Sequence, residues 1–266
     1  MAPINKAPKK TKVKAMRLAV LQSPSPAGDT EAACATVEAA LRAAGAAGAA
    51  VLTVPEVFLP GYNHADIASR ALARGAAPLQ RLAAACRATG CGLVLGYAEA
   101  ADGAIWNSAL CLDRAGAEVA NYRKIQLYGP REQGLYRPGQ GYVTFDLDGQ
   151  KAALLICYDI EFAPHVQALA ASGVTVILVP TANMMPFSHV PRLTVPAMAA
   201  NHGVAIVYAN YCGVEGDLTY TGGSQITGPH GEVLALAGEG AALLIADLPP
   251  RDPARLSTQS ADFRTM

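Results

Sequence analysis

The chain has 266 residues, 52% of them hydrophobic and 16% charged, with 21 Lys+Arg balancing 21 Asp+Glu. A net charge of zero leaves no basic footprint for a nucleic-acid partner, while the apolar content suffices for a large core. No apolar run reaches the length that spans a bilayer as a helix, so a membrane is not an expected partner either.

The opening "MAPINKAPKKTKVKAM" carries five lysines, two prolines and no apolar signal core. Residues 1–15 therefore read as a Lys-rich, disordered lead-in, and a cytoplasmic location is expected. From Met16 onward apolar runs alternate with Ala-rich amphipathic stretches. "MRLAVLQ" reads as a strand, "TEAACATVEAALRAAGAAG" as a helix and "AVLTVPE" as a second strand. "APLQRLAAACRATG" is a helix that stops on Gly90. "CGLVLGYAEA", "IWNSALCLD" and "EVANYRK" are three successive strands, turned at Asp102-Gly103 and Ala115-Gly116. The stretch 125–141, "IQLYGPREQGLYRPGQG", holds too much Pro and Gly for a long helix or a central strand. Long loops of this kind are often functional.

The alternation then resumes. "YVTFDLDG" and "KAALLICYD" are strands around Asp148-Gly149, followed by the helix "FAPHVQALAASG" and the strand "VTVILVPTAN". "RLTVPAMAANHG" is a helix, "VAIVYANYCG" a strand, and "GGSQITGPHGEVLALAG" and "AALLIADLP" close the chain with short strands. Strands that are apolar throughout, rather than at every second residue, are buried on both faces. Strand–helix units in both halves then predict an α/β fold whose sheets are covered by helices. No linker divides residues 16–266, which read as a single domain.

The six cysteines form no C-x-x-C pair and read as reduced thiols, and the five histidines have no zinc-ligand spacing. No metal and no cofactor are expected. Open α/β sheets place their chemistry at strand ends, and three strands here end on reactive side chains. Glu56 follows "VLTVP", Lys124 follows "VANYR" and Cys157 follows "ALLI". Taken singly, each has a bland reading: a solvated carboxylate, a surface cation, a packed thiol. Three together at equivalent edges point to chemistry. The chain has no G-x-S-x-G elbow for a serine hydrolase and no phosphate-binding P-loop.

These segments resemble the nitrilase superfamily of carbon–nitrogen hydrolases. "PEVFLPGYN" surrounds Glu56, "NYRKIQLYG" surrounds Lys124 and "LLICYDIEF" surrounds Cys157, while "REQGLYRPG" matches the family's second glutamate at Glu132. "VPTANMMPF", "VYANYCG" and "GGSQITGPHGEVL" carry the likeness to about residue 248. "CYDIEF" and "PTANM" resemble the amidase-type branch, with its aliphatic amidases, 5-aminopentanamidase and R-stereoselective amidases. The chain departs from the family at "EFAPH", where Pro164 stands one place late, and at Ala200, where many relatives carry a glutamate.

The resemblance implies a four-layer α-β-β-α sandwich, a homodimer and a Glu-Lys-Cys catalytic set. It implies hydrolysis of small aliphatic, including ω-amino, primary amides to acid and ammonia through a cysteine thioester. Glu56 would shuttle the proton, Lys124 with the Tyr158 N–H would hold the oxyanion, and Glu132 would orient substrate or water. Nitrile hydrolysis or N-carbamoyl-amine hydrolysis by the same triad is the near alternative. A non-catalytic interaction module is the distant one, since such a member is expected to lose part of the triad. Tyr62, Tyr128 and Tyr158 follow the motif residues and are candidates for the acyl pocket, as are Thr181 and Asn183 after "VILVP". Core packing for the tyrosines and turn chemistry for Asn183 are the alternatives.

Overall fold

In a computed structural model, which describes residues 15–264, the alternating strands and helices fold into two facing sheets with helices outside. The Lys-rich lead-in, residues 1–14, lies outside the described residues. In chain order the first half comprises β1 (Met16–Gln22), α1 (Thr30–Ala46), β2 (Val51–Thr53), α2 (Ile67–Arg70), α3 (Ala77–Thr89), β3 (Gly92–Ala101), β4 (Ala104–Leu112), β5 (Glu118–Arg123) and α4 (Gly129–Leu135). The second half begins with β6 (Thr144–Leu147), β7 (Gln150–Leu154), α5 (Ala163–Ala171), β8 (Val176–Pro180), α6 (Val195–His202) and β9 (Ala205–Ala209). It closes with β10 (Val214–Glu215), β11 (Leu218–Thr219), β12 (Gln225–Thr227), β13 (Val233–Leu236), β14 (Ala242–Leu248) and α7 (Gln259–Asp262).

One sheet has the order β14-β1-β2-β3-β4-β5, the other β13-β12-β9-β8-β7-β6. Each has three parallel strands at its centre, β1-β2-β3 and β7-β8-β9, flanked by antiparallel ones. Period-two side-chain alternation then separates the layers. Leu18 and Val20 of β1 pack into one core with Leu154, Leu178 and Val207 of the opposite sheet. Ala19 and Leu21 turn the other way, to Val37 and Leu41 of α1 and Leu82 of α3. Val166 and Leu169 of α5, with Val195 and Ala199 of α6, close the far face of the second sheet. The result is the α-β-β-α sandwich that the resemblance implied, and both faces of its central strands are dry. Each buried Leu, Ile or Val side chain contributes about 1.5–3 kcal/mol.

Local signals are visible at the element ends. Asp29 caps α1 by accepting the Ala32 N–H at 2.9 Å. α3 stops where Gly90 turns left-handed, at φ +63°. Asp102-Gly103 and Asp148-Gly149 both have positive φ, the tight hairpin geometry suited to their strands' twist. Two stretches differ from expectation. Within 125–141 the chain makes the short helix α4, seven residues that include Gly129, Pro130 and Gly134. The stretch "RLTVPAMAANHG" is not one uniform helix: a wide turn of π type, Val190–Thr194, precedes α6. Pro196 has no N–H for the carbonyl one turn back, which favours such a shift of the ladder. No helix among the described residues is long and apolar enough to cross a membrane.

Candidate active site

Glu56, Lys124 and Cys157 lie just beyond the ends of β2, β5 and β7. Two glycines let their backbones approach closely. A Cβ on Gly96 of β3 would overlap the backbone of Pro55, Glu56 and Val57. A Cβ on Gly139 would overlap the Arg123 carbonyl, beside the 2.7 Å bond from the Gly139 N–H to the Lys124 carbonyl. Val57 and Cys157 both hold φ at +45°, in the left-handed region that non-glycine residues rarely enter. Such a conformation costs on the order of 1–3 kcal/mol and persists only where the surroundings enforce it. Val57 directly follows Glu56, and Cys157 is itself one of the three strand-end residues.

Hydrogen bonds join two of the three, Glu56 and Lys124, and bring in Glu132. Lys124 Nζ donates to Glu56 Oε1 at 2.6 Å and to Glu132 Oε1 at 2.8 Å. Asn107 Nδ2 donates to the same Glu56 oxygen at 2.7 Å, while buried Glu56 Oε2 has no hydrogen bond. Glu132, carried on α4, also accepts from Tyr62 OH at 2.7 Å and from the Tyr128 N–H at 2.8 Å. It is buried and does not pair with its neighbour Arg131, which instead donates to the Tyr62 and His64 carbonyls and to Asn63 Oδ1.

Burial and charge tune this cluster. Burial lifts Glu56 to about 7; Lys124 opposes the rise and the neighbouring Glu132 adds to it. Burial works against the Lys124 charge, but the carboxylates of Glu132 and Glu56 outweigh it and hold the ammonium well above its ordinary range. Burial, and then the Glu56 carboxylate, push the Cys157 thiol well above its ordinary range, against the pull of Lys124 and the Ala182 backbone. Burial thus favours the uncharged form of both the Cys157 thiol and the Glu56 carboxyl.

Cys157 opens into a cleft of about 220 Å³ lined by Tyr62, Tyr128, Tyr158, Glu161, Asn183, Met184, Phe187 and His189. This is smaller than the ~300–1,000 Å³ usual for small-molecule sites. The Tyr158 ring meets Tyr128 edge-on at 5.3 Å and Phe162 at 4.8 Å. All three tyrosines proposed from sequence line this cleft. Asn183 does too, but its amide nitrogen also ties back its own loop, donating to the Phe187 carbonyl at 3.0 Å. Thr181 is not on the cleft wall. It is fully buried behind the site, where its carbonyl accepts the Glu56 N–H at 3.3 Å.

Sequence reasoning missed Asn107, Asp159 and the outer cleft wall. Asn107 and Ser108 are adjacent buried polar residues inside a strand that is otherwise apolar, and that break in the pattern was the available signal. Asp159 accepts from the Ile156 N–H, the Gln126 N–H and Tyr122 OH, clamping the Cys157 turn to the Lys124 strand. Among the described residues no group of three or more His, Cys, Asp or Glu side chains is placed to hold a metal.

Comparison with known proteins agrees with this geometry. The carbon-nitrogen hydrolase family profile matches residues 17–255. A hydrolase encoded in the pqqF 5' region of Pseudomonas protegens is 39% identical over 240 residues, covering 89% of this chain and 84% of its own. An (R)-stereoselective amidase of a Pseudomonas species is 35% identical, over 71% of this chain and 69% of its own. The solved structure of a mutant amidase from Nesterenkonia sp. AN1, with acrylamide added at its active-site cysteine, superposes with a TM-score of 0.83. It is 35% identical over 88% of this chain and 93% of that one. With its strand-end cysteine beside a buried Glu-Lys-Glu cluster, the chain belongs to the carbon–nitrogen hydrolases of the nitrilase superfamily.

Proposed function

We propose that this enzyme hydrolyses small aliphatic primary amides, including ω-amino amides, to the carboxylic acid and ammonia. The observation that carries the reading is Cys157, strained at a strand end on the floor of a small aromatic cleft, with Lys124 joining Glu56 to Glu132. Glu56 takes the thiol proton through its unpartnered oxygen as sulfur attacks the carbonyl carbon. The C–O π pair moves onto oxygen, where the Lys124 ammonium and the Tyr158 N–H stabilise it. Loss of one such donor typically costs roughly 3–4 kcal/mol of transition-state stabilisation. Collapse expels nitrogen, which receives the proton from Glu56 and leaves as ammonia. Water then gives a proton to Glu56 and attacks the thioester. The C–S bond breaks, the acid departs and the thiolate regains its proton. Glu132 orients Lys124 and the water.

The cleft volume favours a compact acyl group, and one methylene changes discrimination by only about 1–3 kcal/mol. A panel of propionamide, 5-aminovaleramide, a branched chiral amide, propionitrile and an N-carbamoyl amine, assayed for ammonia release, tests the reading. Turnover of the nitrile or the carbamoyl compound with little amide hydrolysis overturns it and leaves the catalytic set standing. Residues 16–266 acting as one cytoplasmic domain that pairs as a homodimer complete the proposal. Sedimentation as a monomer at micromolar concentration rejects the dimer.

A further inference from the structure

Glu161 is a carboxylate of the cleft wall that the hydrolytic mechanism leaves unused. It ends the 3₁₀ turn that Cys157 begins, so one rigid turn carries the nucleophile at its start and a carboxylate at its end. At a rise of roughly 2.0 Å per residue, the two backbones stand about 8 Å apart, within the span of a short methylene chain. Glu161 lines the cleft together with Tyr128, Tyr158 and Phe187. These rings meet one another edge-on, Tyr128 with Tyr158 at 5.3 Å and Tyr128 with Phe187 at 6.1 Å. Among the described residues the Glu161 side chain has no hydrogen bond and no ion pair, unlike Glu56, Glu99 and Glu132. His189 on the same wall and the fully buried Lys124 act on its charge from a distance without pairing with it.

A half-buried carboxylate without a partner, among aromatic side chains, is a recognition element for a cation: the rings attract positive charge and the carboxylate anchors it. We propose that Glu161 selects substrates by charge, accepting the ammonium end of an amide whose other end is presented to Cys157. An anionic tail meets repulsion at this wall, and a neutral tail leaves the carboxylate without its partner. The inference rests on the amidase reading for the identity of the scissile group, but charge selection can be measured without turnover.

The test uses three amides of similar length: 5-aminovaleramide, its neutral isostere hexanamide, and the anionic amide adipamate. They are compared in the wild type and in Glu161→Gln and Glu161→Lys, at a pH of about 8, where free imidazole is neutral. In the wild type kcat/KM for the cation exceeds that for the neutral isostere by about tenfold or more, the scale of one charge-assisted hydrogen bond. In Glu161→Gln that ratio collapses toward one, and in Glu161→Lys the order inverts in favour of the anion. Titration calorimetry on Cys157→Ala, with and without Glu161→Gln, gives the same ratios as binding constants. Absence of ammonia release from all three amides overturns the amidase reading alone, provided Cys157→Ala still prefers the cation. Equal binding of cation and neutral isostere by Cys157→Ala, or a ratio unmoved by both Glu161 substitutions, overturns the charge-selection assignment.

Discussion

Two buried glutamates in the same half of the molecule are tuned in opposite directions. Glu99 of β3 faces Arg123 at the end of β5, and Glu56 faces the next residue along, Lys124. Burial raises both. At Glu99 it is outweighed by hydrogen bonds from Arg123, Ser108 and Asn121, and the carboxyl ends below its ordinary range. Both of its oxygens are occupied, with Arg123 gripping the pair and stacking over Trp106 at 4.0 Å. Glu56 receives Lys124 and Asn107 on a single oxygen, shares that lysine with Glu132, and ends near 7. Burial alone therefore does not decide the direction in which a carboxylate is shifted. The number of donors left to it does, and a bidentate arginine gives what a shared lysine cannot.

The largest effect expected at the Glu56 cluster is on the group it serves. Cys157→Ala should abolish ammonia release with an unchanged melting curve, and intact-mass analysis of the wild type with a slow amide should place the acyl adduct on Cys157. Turnover surviving in that variant, with the label on another cysteine, breaks the assignment. Next in size, Glu56→Gln should lower kcat/KM by about 10²–10⁴, the usual worth of a general acid–base. Glu132→Gln should lower it by about 10², because Lys124 loses one of its two anchors. Near wild-type kcat in Glu132→Gln would return that residue to a structural role. In contrast, Glu99→Gln should leave the chemistry in place and cost about 2 kcal/mol in urea unfolding, as for a lost charge-assisted hydrogen bond.

The pH dependence sharpens the contrast through its sign. Glu56 must be ionised to take the thiol proton, so kcat/KM should rise with pH along a limb centred at about 7. A limb near the ordinary carboxylate value of about 4.3 would place the reactive proton elsewhere. In stability the two residues run oppositely. The folded Glu56 value lies above the unfolded one, so its contribution is full below the ordinary carboxylate range and is lost as pH rises through about 7. The folded Glu99 value lies below, so its contribution is present above that range and is lost as pH falls through the folded value. Urea midpoints of the wild type against Glu56→Gln and Glu99→Gln, followed from acid to pH about 8, should therefore diverge at opposite ends. The support is tested last: Gly96→Ala drives a Cβ into the backbone of Pro55, Glu56 and Val57, so it should lower both kcat and the urea midpoint.

Much of the frame was legible locally. Continuous apolar runs such as "VILVP" mark strands buried on both faces, Asp-Gly pairs mark hairpins, and the polar residues that follow the runs mark the working edge. Glu56, Lys124 and Cys157 stand where an apolar strand ends abruptly on a reactive side chain, which leaves a trace in the linear order, whereas Glu132, inside 125–141, came from the resemblance of "REQGLYRPG". What left no such trace is partnership. Ser108 and Asn107 are adjacent in β4, and strand alternation alone sends one to Glu99 and the other to Glu56. Thr181 ends its strand as Asn183 does, yet packs behind Glu56 rather than in the cleft.

Composition and periodicity thus predicted sheets covered by helices, the family resemblance implied the four layers, and the strand ends singled out the candidate reactive groups. Only the tertiary structure decided which carboxylate is left short of donors, which oxygen is free and which wall of the cleft carries an unpaired charge. The physical reason is distance along the chain: Lys124 meets Glu56 across 68 residues, and Asp159 meets Tyr122 across 37. Desolvation and hydrogen bonding act through space, on neighbours that only the packing of two sheets brings together.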